Sequence, residues 1–168
     1  MKIIADMYRR AGILLLVLCS IMICGEVFAA RSWWEKLLHS NPEQDQQERT
    51  AEILQTPEGQ LAKKFAQRLL EARFAEAHTL LSRDAQTEWP VAKLEKTYKD
   101  MVGYFLNPPR RVMPTMTMQP WQWPDSHPND VAWVYTAIEA EGDNEGIVTI
   151  ISKENGADVI RWLEWGRP

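Results

Sequence analysis

Apolar residues recur every three or four positions through the middle of this chain and nearer every second position toward its end. In "TPEGQLAKKFAQRLLEA", Thr56 is a helix cap, Pro57 suits the first helical position and Glu58 favours the positive helix end. Leu61, Phe65, Leu69 and Ala72 then make one apolar stripe. "RFAEAHTLLS" places Phe74, Ala77, Leu80 and Leu81 on one side of a second helix, joined to the first by a tight link around Arg73. "SRDAQTEWP" breaks the pattern and Pro90 restarts it. Val91, Leu94, Tyr98, Met101, Val102 and Phe105 share one face of a third helix, which "NPPRR" ends because residues before proline avoid helical geometry.

Beyond this point the period changes. "RVMPTMTMQPW" alternates loosely around two prolines and reads as an irregular or edge strand. "DVAWVYTAIEAE" is rich in β-branched and aromatic residues and reads as a strand. "GDNEG" is a turn, "IVTIISKE" a strand, "NGAD" a turn and "VIRWLEWG" the last strand. Helices followed by an antiparallel meander predict an α+β domain, residues 56–168.

The chain upstream has another character. Lys2, Arg9 and Arg10 precede the apolar run Ala11–Gly25 and the small residues Ala29 and Ala30, the pattern of a cleavable secretory signal peptide over residues 1–29. The alternative is an uncleaved membrane anchor at residues 11–25, a run of about fifteen where crossing a bilayer takes roughly twenty. Residues 30–55 read as a leader. There Trp33, Trp34, Leu37 and Leu38 have the spacing of a short amphipathic helix, and "NPEQDQQER" is polar and turn-like at its start. With few basic residues on its polar face, the helix is expected on its own domain rather than on a membrane surface.

Charge and cysteine usage narrow the field. Of 19 basic and 23 acidic residues, three and two lie in the signal segment, which takes the net charge from −4 to about −5. A mildly acidic domain lacks the basic footprint that nucleic acid requires. Cys19 and Cys24 both fall in the signal segment, and neither follows the small residues of a lipoprotein processing box. The processed chain would thus have no disulfide, thiol nucleophile or cysteine metal site, even in the periplasm.

The succession "FAQRLLEARFAEAHTLLSRDAQTEWPVAKLEKTYKDMV", followed by a meander ending in "IRWLEWG", resembles the NTF2-like superfamily over residues 57–165. The resemblance implies a cone: three N-terminal helices packed on the concave face of a curved antiparallel sheet. In that superfamily the cone serves catalysis, ligand binding, dimerisation or partner docking, so the fold does not choose a function. Members of the ketosteroid-isomerase kind carry a tyrosine and acidic groups inside the cone. Here the first helix offers Phe65 and Leu69 inward, and Tyr98 and Tyr135 are the inward tyrosines, a departure that argues against isomerase chemistry.

Individual residues add little catalytic evidence. His78, between Ala77 and Leu80 and near Glu76, has the character of a proton shuttle or of a structural histidine, and no motif partner supports the first. Asp125, His127 and Asp130 in "DSHPND" could ligate a metal, but these are also turn residues. "GDNEG" lacks the spacing of a calcium loop. Glu139 and Glu141 share a strand face without a partner at defined distance, and no phosphate-binding glycine loop is present. No metal or cofactor is implied.

The densest signal is "PWQWPDSHPNDVAW". If extended, it puts Trp121 and Trp123 on one face, with Trp133 and Tyr135 repeating the spacing on the next strand. One reading is an aromatic cluster that closes the sheet; the other is a recognition rim. The expectation is a periplasmic, non-catalytic binding protein, with Trp121, Trp123, His127 and Tyr98 around the cone mouth facing a small apolar ligand or a protein partner, a homodimer included. The alternatives are a periplasmic inhibitor or assembly factor, and a pocket enzyme using His78 or Tyr98 in acid–base work.

Overall fold

The computed structural model describes residues 41–166. The expected signal segment, both cysteines and the amphipathic helix expected at Trp33–Leu38 lie outside the described residues. From Gln46 onward the chain forms one compact unit, α+β in class. Five helices, α1 (Pro42–Ile53), α2 (Pro57–Leu70), α3 (Phe74–His78), α4 (Arg83–Glu88) and α5 (Val91–Val102), precede four strands. These are β1 (Arg111–Met118), β2 (Asp130–Glu139), β3 (Asn144–Glu154) and β4 (Ala157–Trp165), in one antiparallel sheet of order β1-β2-β3-β4.

The apolar stripes form helices where expected, but α3 stops at His78, before Leu80 and Leu81, and α5 at Val102, before Phe105. Thr56 caps α2 by accepting from the Gly59 amide at 3.0 Å, and Ala62, Phe65, Ala66 and Leu69 are buried. The end of α2 differs from the sequence reading. Ala72 is not part of the stripe; it lies exposed past the helix end with φ 57°, while the Ala72 amide donates to Leu69 O and the Arg73 amide to Arg68 O. That is the αL stop usually given to glycine.

Two helices lie where the sequence was read otherwise. α1 occupies the polar stretch whose start reads as a turn: Asn41 accepts from the Glu43 amide, Pro42 takes the first position, and only Thr50 and Ile53 are buried. α4 fills the break at "SRDAQTE", capped by Ser82 through the Ala85 amide at 3.2 Å, with Ala85 alone buried. Neither has an apolar stripe for periodicity to detect.

The sheet separates two apolar layers. Toward the helices, Val134, Ile138, Ile147, Ile151, Ile160 and Leu163 pack with Phe65, Leu69, Leu94 and Tyr98. On the opposite face Trp133, Val148 and Ile150 pack with Trp121, Tyr135 and Trp162. β3 is therefore buried continuously from Gly146 to Ser152, which explains why apolar residues there face both sides of the sheet. Gly146 has no room for a side chain, since a Cβ there would lie 2.3 Å from the Tyr135 ring on the neighbouring strand.

Both sheet edges are blunted. Along β4, the Ser82 amide donates to Ile160 O at 2.8 Å and the Ile160 amide to Leu80 O at 3.0 Å, so the α3–α4 link covers that edge. Along β1, Pro114 and a bulge at Thr115 break the run of donors. The hairpin turns follow their residues: Asn155 and Gly156 both have positive φ (51° and 81°), as a tight Asn-Gly turn demands.

Ala72→Gly should raise stability by about 0.5–1 kcal/mol, because relief of left-handed strain at a non-glycine residue exceeds the added unfolded-chain entropy. Urea unfolding of the two proteins at equal m-value checks this.

Candidate functional site

Residues 119–129 join β1 to β2, and they hold the aromatic and polar residues singled out above. β1 ends at Met118, so Trp121 and Trp123 do not continue the strand, and they do not share a face. Trp121 turns onto the outer aromatic layer, and its indole Nε1 donates to Pro124 O at 3.0 Å. Trp123 points away and is 69% exposed. On the strands, Trp133 is buried opposite Ile150, which in turn faces Trp162 across β3. The layer is a cross-strand aromatic cluster and Trp123 projects beyond it.

The loop is braced along its length. Gln119 Nε2 donates to Val131 O at 2.6 Å, the Lys153 amide to Asn129 O at 2.9 Å, and the Asp130 amide to His127 O at 3.0 Å. The central brace is the Asp130 carboxylate, whose side chain is 1% exposed. Its Oδ1 accepts from Arg161 Nε at 2.7 Å and from the Ser152 hydroxyl; its Oδ2 accepts from Arg161 Nη2 at 2.6 Å and from the His127 amide at 2.7 Å. Three strands and the loop thus meet on one carboxylate.

Two bulges make this meeting possible. Val131 is the extra residue of β2 and Arg161 that of β4, as the paired registers show. An extra residue re-aims its neighbours: Ile160 points into the helix-side core while Arg161 reaches Asp130 and Trp162 joins the outer layer. Burial is the largest influence on the Asp130 carboxyl and would raise its pKa. Arg161, the His127 amide and the Ser152 hydroxyl together outweigh burial and hold it below its ordinary value.

Beside the loop lies a cleft of about 420 Å³, lined by His127, Pro128 and Asn129 on the loop, Asp84 and Glu88 on α4, and Arg161 and Trp162 on β4, among others. The cleft is open, and its lining mixes charges of both signs.

The remaining candidates fall elsewhere. Tyr98 belongs to the helix-side core, 6% exposed and across the sheet from Trp121. Burial pushes its pKa up to about 12, and its hydroxyl has no hydrogen-bond partner among the described residues. A phenol this reluctant to ionise is poorly suited to base chemistry. His78 is half-buried with Nε2 3.2 Å from Gln86 O, a contact that ties α3 to α4. Glu139 is paired with Arg111 at 2.5 Å. Trp121, Trp123 and His127 therefore share one loop, whereas Tyr98 and His78 do not join them.

Among the described residues, no group of three His, Cys, Asp or Glu side chains is arranged to hold a metal ion, and no helix is long and apolar enough to cross a membrane. Comparison with family models, curated proteins and solved structures returns no match.

Asp130→Asn leaves Arg161 without its buried counter-charge and should cost about 3 kcal/mol, near the lower end for breaking a buried pair. The depressed carboxyl also gives a sign. Its contribution is fully present above the unfolded-state pKa of about 3.9 and is lost as pH falls through the lower folded-state value. Urea midpoints measured from pH 6 down to pH 2 should fall more steeply below pH 4 in the parent protein than in the variant. Tyr98→Phe should stabilise the fold by about 1 kcal/mol, since it removes a buried hydroxyl with no partner; calorimetry reads this directly.

Proposed function

We propose that this protein is a non-catalytic docking domain that binds a protein partner through the braced loop 119–129, with Trp123 as the anchor and His127 on its rim. One observation carries the reading: a large aromatic side chain is 69% exposed on a loop that the fold holds in place. Long loops are ordinarily mobile. Here the ordering cost of binding is largely met in advance, which is how a single exposed tryptophan comes to dominate an interface.

The packing of the helix side supports the same choice. Phe65, Leu69, Leu94, Ile138, Ile147 and Ile151 have no solvent exposure, so side chains fill the space in which a small apolar ligand would bind. Within this reading the architecture is an NTF2-like cone, with α2, α3 and α5 as its three helices on the concave face of the sheet. The N-terminal charge and hydropathy pattern adds export to the periplasm. There the domain would act as an inhibitor or an assembly factor, by contact alone.

Trp123→Ala should leave the unfolding midpoint within about 0.5 kcal/mol of the parent and weaken partner binding by 2 kcal/mol or more, about thirtyfold. A photo-crosslinking residue placed at exposed Gln122 in the cells that make the protein should trap a discrete adduct, which Trp123→Ala abolishes. An adduct unchanged by that substitution would overturn the docking role of Trp123.

A further inference from the structure

We propose that the cleft beside loop 119–129 receives a basic segment of the partner, a lysine- or arginine-bearing stretch whose cationic heads meet Asp84, Glu88 and Glu154 and whose aliphatic stems lie on Trp162. That a partner exists rests on the docking reading above; the chemistry of the segment comes from the cleft itself.

The charges of the lining look nearly balanced until their ion pairs are traced. Its cations are Lys153 and Arg161. Lys153 Nζ is paired with Asp158 at 2.6 Å and Arg161 Nη2 with Asp130 at 2.6 Å, so both are neutralised within the fold. The carboxylates Asp84, Glu88 and Glu154 are different. Among the described residues, no cation pairs with any of them within 4.0 Å. Arg83 lines the adjoining hollow together with Glu154 and offsets part of that charge. The surplus of negative charge is therefore greatest at Asp84 and Glu88.

These two residues burden their own helix. They lie four apart on α4, and like charges at that spacing are destabilising. Glu88 is also the last residue of α4, at the negative end of the helix dipole. The neighbouring cation does not relieve it: Lys93 Nζ donates to the Glu88 carbonyl oxygen at 3.0 Å and stands 3.9 Å from the centre of the Trp89 ring. A cation brought by a partner would relieve both carboxylates at once.

Shape favours a polypeptide over a small molecule. A small ligand is ordinarily held with most of its surface enclosed, and this cleft of about 420 Å³ is open. Trp162 is only partly buried and offers an indole face, on which a lysine or arginine stem packs and a cationic head is attracted. Trp123 and His127 are four residues apart on one loop, so their Cα atoms lie within about 14 Å. A partner segment crossing Trp123 thus reaches the cleft within a few residues.

The test is titration of the 15N-labelled full-length protein with acetyl-trilysine amide. Saturable shifts are expected at the Asp84 and Glu88 amides and the Trp162 indole, and none with acetyl-triglutamate amide. Asp84 and Glu88 are both exposed, so Asp84→Asn with Glu88→Gln should keep the urea midpoint and weaken trilysine binding at least about tenfold. Glu48→Gln with Glu52→Gln removes the same charge from exposed positions of α1 and should change binding by less than about twofold. Equal weakening by the two double variants, or trilysine shifts scattered over the acidic surface, would overturn the proposal. The shift map of the parent protein decides it even if a variant folds poorly. A discrete adduct at Gln122 without a trilysine site would overturn the basic segment and leave the docking of Trp123 standing. A trilysine site without an adduct would uphold the cleft and overturn that docking.

Discussion

The carboxylate of Asp130 is the fixed point of the sheet's outer side. Burying it has a desolvation cost that only several simultaneous donors can offset, and it has four: two from Arg161, one from Ser152 and one from the His127 amide. Arginine is suited to this position in a way lysine is not, because its planar fork meets both carboxylate oxygens at once. To bring that fork across β3, β4 must carry an extra residue. The bulge, the buried pair and the shape of the loop are thus one constraint seen from three places. Loop 119–129 needs no regular structure, because its far end is fixed to two other strands.

The second organising fact is that β3 has apolar cover on both faces. On one side lie Phe65 and Leu69 of α2 with Leu94 of α5; on the other, tryptophans and a tyrosine from β2, β4 and the loop. Large aromatic rings make this outer layer possible without helices, since four of them (Trp121, Trp133, Tyr135 and Trp162) pack around Val148 and Ile150. The edges are managed separately, by the α3–α4 link along β4 and by Pro114 with its bulge along β1.

How much of this could be read from the chain depended on the range of each interaction. The stripes of α2 and α5, the β-branched and aromatic content of β2 and the Asn-Gly turn are local signals, and each element formed, although α2 stops short of Ala72 and α5 short of Phe105. α4 has a single buried residue, so no period reveals it; the cap at Ser82 with Asp84 in the first turn was the available signal. α1 similarly showed only Asn41 and Pro42 ahead of a polar run. Alternation extends the strand pattern past Met118, whereas β1 ends there, two residues before Pro120. The role of Asp130 was out of reach: its partner lies 31 residues away and is aligned by a bulge that no pattern announces. The spacing of α5 puts Tyr98 on its inward face, and it does lie in the core, but nothing local reveals that its hydroxyl has no partner among the described residues.

A sheet with independent cores on its two faces also divides the work of evolution. Residues that do not touch change with nearly additive effects, and here the backbone of the sheet stands between the helix-side aliphatics and the outer aromatic layer. Substitutions at positions 121 to 128 can therefore accumulate against one layer while the other keeps the chain folded. A lineage built on this plan can exchange one outer-face loop surface for another without passing through an unfolded ancestor.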